Sequence, residues 1–197
     1  MALTDQSTKI RSGEELDASL IDPYLKAHIP GLRGSPEISQ FPGGASNLTY
    51  LIQYPDQEFV LRRPPFGHKA KSAHDMGREY RILNQLNVGF PYCPKAYVHC
   101  TDESLIGSEF YVMERVNGII LRSDLPPELN FDAQQTEALC KNFIDTLVEL
   151  HQVDYTACGL ADLGRPEGYV KRQIGGWGDR YEKALTPDAP SWETVRA

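Results

Sequence analysis

Apolar positions along the chain recur with two different periods, and the changes of period divide it into elements. Leu16, Leu20, Tyr24 and Leu25 return near helical spacing behind a capping-box signal at Ser12 and Glu15, and "HIPG" at 28–31 stops them. This predicts a leading helix that breaks near Pro23. Three strand-like stretches follow at 37–41, 48–54 and 59–63, the second with Leu48, Tyr50, Ile52 and Tyr54 on one face and "PDQE" as the turn after it. Ser72 and Asp75 then signal a helix whose buried stripe is Met76, Tyr80 and Leu83, ending near Leu86. Two more strands are predicted at 96–99 and 109–116. From Asp132 and Gln135 a longer helix runs with Leu139, Cys140, Phe143, Ile144, Leu147, Val148 and His151 as a broad apolar face.

The resulting order is helix, three strands, helix, two strands, then helices. It predicts an α+β small lobe, an antiparallel sheet plus a helix, over residues 1–117, followed by an incomplete helical lobe over 118–197. The last residues, "APSWETVRA", open a helix and supply no C-cap, so the chain is expected to stop inside a domain.

Composition narrows the picture only a little. A chain of 197 residues with 41% hydrophobic and 24% charged residues is ordinary globular material. Its formal charge of −7 argues against nucleic acid as a partner, because phosphate-backbone binders carry a basic face. Cys93, Cys100, Cys140 and Cys158 have no CxxC spacing, which points to reduced thiols in a cytoplasmic protein and to no metal site. No apolar run approaches the roughly 20 residues needed to span a bilayer, so the chain is expected to be soluble with no membrane partner.

Four stretches carry candidate chemistry. In "FPGGASNLTYLI", Gly43 and Gly44 can turn backbone N–H groups toward an anion and Ser46 and Asn47 can add side-chain donors, although the same residues also make an ordinary hairpin turn. No Walker loop is present, since no GK[ST] follows. "FVLRRPPFGHKAK" ends a strand in Arg62 and Arg63 and continues to Lys69 and Lys71, either a phosphate field or a solvated basic connector. Strand alternation sends Arg62 and Arg63 to opposite faces, so only one can meet a given ligand. Glu79 sits at the edge of an apolar stripe and needs a cation, for which Arg62 is the candidate and a surface arginine the alternative. "FYVMERVNG" runs from an apolar strand into a polar break, as a segment joining two lobes or as an edge strand.

Taken together in this order, the four resemble the small lobe of the protein-kinase-like fold. The resemblance is nearest to the aminoglycoside phosphotransferase (APH) enzyme family, including the kinase-like domains associated with acyl-CoA dehydrogenases. It implies an ATP-binding portion of a kinase that transfers the γ-phosphate to a hydroxyl acceptor, either a hydroxyacyl compound or an aminoglycoside-like molecule. On that resemblance the loop of Gly43, Gly44, Ser46 and Asn47 covers the nucleotide phosphates and Arg62 is the phosphate cation where relatives use lysine. Glu79 orients Arg62, and Met113, the Glu114 carbonyl and the Val116 N–H meet the adenine.

The aspartates of an HGDxxxxN or HxDxxxxN loop and of the magnesium site have no counterpart among the 197 residues, so no catalytic or metal residue is assigned. Mg2+ and the small-molecule acceptor are accordingly expected only with the full-length parent. The alternative is a non-catalytic nucleotide-binding or regulatory interaction module. With the apolar face of the long helix short of partners, self-association is a further expectation.

Overall fold

The computed structural model describes residues 4–43, 46–66, 74–122 and 124–189. Helix α1 (Ala18–His28) is followed by strands β1 (Glu37–Gln40), β2 (Leu48–Gln53) and β3 (Glu58–Arg63), helix α2 (Met76–Leu86), strands β4 (Ala96–Cys100) and β5 (Phe110–Glu114), and helices α3 (Ala133–Gln152) and α4 (Tyr169–Ala184). The five strands form one sheet in the order β1-β2-β3-β5-β4, antiparallel throughout. The α+β expectation holds: the five strands and helices α2 and α3 lie within a few residues of their predicted spans, α1 ends where expected, and α4 had no predicted span of its own. The chain divides into two compact units at Gly159/Leu160. The lobe boundary expected at 117/118 falls inside the first of them.

Alternation along the strands separates two faces. Tyr50 and Ile52 of β2, Phe59 and Leu61 of β3, Val98 of β4 and Phe110 and Val112 of β5 are buried in one cluster with Ile21 and Leu25 of α1. Burying side chains of this size stabilises by about 1.5–3 kcal/mol each, and the i, i+4 pair on α1 puts both anchors on one side of that helix. The opposite sheet face carries Thr49, Val60, Arg62, Tyr111 and Met113, and β4 and β5 are covered by α2. Gly77 permits that approach, since a β-carbon there would lie 3.0 Å from the His99 ring.

Two helix details differ from expectation. Asp17, rather than Ser12, caps α1, with its carboxylate accepting from Ser19 N–H at 2.8 Å and Ser19 Oγ–H at 2.6 Å. The acidic residues behind Ser12 are engaged elsewhere: Glu14 with Arg11 and Gln40, and Glu15 with the Gly13 N–H. Pro23 also does not break α1. It is exposed on the sixth residue of the helix, where the missing N–H deprives only the Ser19 carbonyl of its usual donor.

Asp75 is the N-cap of α2, accepting from Arg78 N–H at 2.8 Å, and Asp132 with Gln135 forms the expected capping box of α3. The predicted apolar face of α3 is present in sequence and open to solvent: Phe143 is 68% and Ile144 53% exposed. In the second unit Gly168, whose positive φ of 65° suits glycine, is the N-cap of α4, and Arg172 ties back to the carbonyls of Arg165 and Glu167. Among the described residues no helix is long and apolar enough to cross a membrane.

Candidate functional site

The sheet face opposite α1 supplies the site. Register pairing sets Arg62 of β3 directly across from Tyr111 of β5 and from Thr49 of β2, with Val60 one step further along the same face opposite Met113. Helix α2 brings Glu79 over the Arg62 end. The expected pairing of these two residues is present: Arg62 Nη1 lies 3.3 Å from Glu79 Oε2, each side chain 31% exposed.

Glu79 is held from two further directions. Tyr111 O–H donates to Oε2 at 3.0 Å, and Asn47 Nδ2–H donates to Oε1 at 3.0 Å. Asn47 is itself oriented by His74, whose Nδ1 sits 2.7 Å from Asn47 Oδ1. Burial keeps the Tyr111 hydroxyl protonated well above the ordinary tyrosine range, with the Glu79 charge adding to it against the opposing pull of Arg62. Tyr111 is therefore a permanent donor to the carboxylate at neutral pH. Arg62 Nε is buried and meets no acceptor among the described residues, so the guanidinium retains hydrogen-bonding capacity that Glu79 does not use.

Arg63 takes the opposite face, as alternation requires. It is 2% exposed, donates from Nη1 to the Ile106 carbonyl at 2.7 Å, and stacks on Phe66 with its guanidinium carbon 4.1 Å from the ring centroid. Desolvation lowers its pKa, offset by the nearby Tyr50 and Glu14. Arg63 thus belongs to the fold, and Arg62 is the arginine on the site face.

Beside this network, past Val60 and Met113, lies a cleft of about 550 Å3. Thr49, Val60 and Met113 form its floor, and Phe41, Gly43, the 114–120 segment and Arg122 its walls. The volume is in the range of small-molecule and cofactor sites. Glu114 ends β5, with its carboxylate accepting from Lys95 N–H at 3.1 Å. Arg115 turns away to Glu58 at 2.6 Å. Val116, two residues beyond the strand, makes no backbone hydrogen bond to another described residue and is 66% exposed. A main-chain donor left open beside an apolar floor fits a planar heteroaromatic ring, which offers an acceptor at its edge and two apolar faces.

The structure therefore brings Gly43, Met113, Glu114 and Val116 together at the cleft, and Arg62, Glu79 and Asn47 together in the adjoining network. Ser46 is exposed on the loop before β2. Gly44 lies outside the described residues, as do Lys69 and Lys71 of the basic connector. Asn47 is buried at 6% exposure and faces Glu79 and His74.

Sequence reading missed Tyr111, His74, Thr49 and Val60. For Tyr111 a signal existed in the i, i+2 spacing to Met113 within "FYVME", which puts both on one face. Nothing local pointed to His74, which takes a positive φ of 65° before α2.

A model of the phosphotransferase enzyme family, APH, matches residues 37–197. The chain belongs to that family. A putative aminoglycoside phosphotransferase from Ralstonia eutropha JMP134 has a similar structure, with a TM-score of 0.73 and 31% identity over 92% of this chain and 52% of its own. Acyl-CoA dehydrogenase family member 11 of Gallus gallus is 34% identical over 97% of this chain, and the protein of the same name in Homo sapiens is 34% identical over 92%. Probable acyl-CoA dehydrogenase IBR3 of Arabidopsis thaliana is 32% identical over 94%. This APH-family chain spans about a quarter of the length of these curated relatives, at 25%, 24% and 23%.

Proposed function

We propose that this APH-family chain is the ATP-binding portion of a small-molecule phosphotransferase that moves the γ-phosphate of ATP to a hydroxyl acceptor. The observation that carries the reading is the Arg62–Glu79 pair on the same sheet face as the cleft, one register step from its Val60 and Met113 floor. In this reading the cleft takes the adenine against Val60 and Met113, with the Glu114 carbonyl and the Val116 N–H at the edge of the base. Arg62, with a buried Nε lacking an acceptor, faces the phosphates, and Glu79 holds its guanidinium in place. An arginine keeps the charge of a lysine but presents a planar fork, so its contacts suit two oxygens at once. Bound Mg2+ would neutralise phosphate charge in the parent; among the described residues no group of three or more His, Cys, Asp or Glu is arranged to hold it.

The names of the relatives favour an acyl-linked hydroxyl compound as the acceptor over an aminoglycoside. Positioning of that acceptor calls on residues of the helical lobe that the 197-residue sequence does not match to any known motif.

A titration of the purified chain with a fluorescent ATP analogue tests the reading. Glu114→Ala is expected to leave affinity nearly unchanged, because the carbonyl survives, whereas Val116→Pro is expected to lower it about tenfold by deleting the N–H and constraining the backbone. Equal effects of the two substitutions would contradict the main-chain reading. No binding to the unsubstituted chain at all would favour a non-catalytic interaction module. The same protein mixed with ATP and Mg2+ is expected to release no phosphate above the blank, since positioned nucleophile activation needs an aspartate for which no motif is present. Steady consumption abolished by Arg62→Ala would overturn that expectation and direct attention to Asp154 and Asp162.

A further inference from the structure

Four charged side chains line the cleft: Asp5, Glu114, Arg115 and Arg122. Two of them are committed elsewhere, Glu114 to the Lys95 N–H and Arg115 to Glu58. The other two face each other, Arg122 Nη2 lying 3.6 Å from Asp5 Oδ1. They come from distant parts of the chain, Arg122 from the segment after β5 and Asp5 from the N-terminal arm.

That arm is anchored. Thr8 exchanges two backbone hydrogen bonds with Gln40 at the free edge of β1, 2.7 and 2.9 Å long, and Ser39 Oγ–H donates to Ser7 Oγ at 2.7 Å. These bonds hold residues 7 and 8 beside the sheet and leave Thr4 and Asp5 on the wall of the cleft.

Arg122 also reaches Gly43, since a β-carbon added there would lie 3.8 Å from its Nη2. Its guanidinium therefore lies beside Gly43 on the wall of the cleft, within reach of a phosphate chain carried by a base bound there. The ion pair that holds it is weak by construction. At 3.6 Å and with the Arg122 side chain 66% exposed, it is worth at most about 1 kcal/mol. A polyanion offers Arg122 more charge than one carboxylate does.

We propose that Arg122 is a second phosphate-binding cation of this site, and that Asp5 of the N-terminal arm is its competitor in the nucleotide-free chain. The inference rests on the nucleotide reading given above and adds to it a residue outside the family motifs. Nucleotide binding exchanges the Asp5 carboxylate for phosphate oxygens at Arg122, so Asp5 lowers affinity for nucleotides in proportion to their charge. Adenosine, which has no phosphate, is indifferent to both residues.

The test is a titration of the purified chain and its variants with ATP and with adenosine, at low salt, by calorimetry or displacement of a fluorescent ATP analogue. Asp5→Asn is expected to tighten ATP about two- to fivefold, the size of a surface ion pair. Arg122→Ala is expected to weaken ATP about three- to tenfold, and the double variant to match Arg122→Ala alone, because Asp5 acts only through Arg122. Adenosine affinity stays unchanged in all three. Both positions are solvent-accessible, so thermal unfolding midpoints should be alike and serve as the folding control. ATP affinity unchanged in Asp5→Asn and Arg122→Ala, in a chain that binds ATP, overturns this inference and leaves the nucleotide reading standing. Equal losses for adenosine and ATP also overturn it, since they would make Arg122 a wall of the base pocket. A chain that binds neither ligand overturns both.

Discussion

Glu79→Ala is expected to lower the stability of the first unit by about 2–3 kcal/mol and to weaken ATP binding about tenfold or more. The carboxylate meets three donors: Arg62 at 3.3 Å, Tyr111 at 3.0 Å and Asn47 at 3.0 Å. Direct attraction to Arg62 is not the largest part of the stability loss. Both charged side chains keep 31% of their surface in water, which screens the pair. What dominates is the desolvated donors left behind, a tyrosine hydroxyl on a residue 1% exposed and an amide on a residue 6% exposed, each costing about 1–3 kcal/mol when unpaired if no water replaces the acceptor.

Affinity falls for a different reason, the loss of a fixed orientation for Arg62. Glu79→Gln separates the two effects. Its single amide oxygen can accept from Asn47 while its NH2 donates to the Tyr111 hydroxyl, which can turn to accept, so part of the stability should be recovered, while the neutral amide leaves Arg62 unpaired and affinity low. Urea unfolding and nucleotide titration of the same samples check both halves. An alanine variant as stable and as tight-binding as the parent would remove Glu79 from the site.

The fold is also expected to unfold cooperatively as pH rises from about 10 to about 12, driven chiefly by its buried tyrosines. Burial pushes the Tyr50 hydroxyl up to about 12. Tyr54, whose hydroxyl donates to Asp22 at 2.8 Å, and Tyr111 are raised further, again chiefly by burial. Tyr24 is raised likewise, by burial and then by Cys100. In each case the folded pKa exceeds the unfolded one near 10.

The folded state then holds more protons than the unfolded state above pH 10. The stabilisation is fully present below that pH and is lost as pH rises toward the folded values. For Tyr50 alone a rise from 10 to about 12 corresponds to about 2–3 kcal/mol, and the buried Tyr54 and Tyr111, with a smaller share from the half-buried Tyr24, act with it in a domain whose total stability is of order 5–15 kcal/mol. Tyrosinate absorbance and far-ultraviolet circular dichroism should therefore change together. Early ionisation of most of these tyrosines near pH 10 with the circular dichroism unchanged would show that the hydroxyls are open to water in the folded chain.

Much of this molecule was legible in its sequence. The period-2 stretch of β2, with Leu48, Tyr50, Ile52 and Tyr54 all buried, and the Asp132/Gln135 capping box of α3 are local signals, and local signals survive folding because they depend on backbone geometry within a few residues. The same logic separated Arg62 from Arg63, adjacent on a strand and so on opposite faces, and the order of the elements carried the family resemblance.

The tertiary structure decided what neighbouring strands and remote segments do to one another. No local pattern states that β5 lies between β3 and β4, yet that order and the β3/β5 register put Tyr111 across from Arg62 and beneath Glu79. The cap of α1 lies at Asp17 rather than Ser12: Glu15, the capping-box partner of Ser12, accepts from the Gly13 N–H, and its neighbour Glu14 is engaged by Arg11 and by Gln40, the latter 26 residues away. Asp5 met Arg122 across 117 positions of sequence because the arm pairs with the edge of β1. Periodicity determines which face a side chain takes, since it follows from the dihedrals of one segment. Which side chain it then meets is set by strand order and register, which are properties of the whole chain's packing.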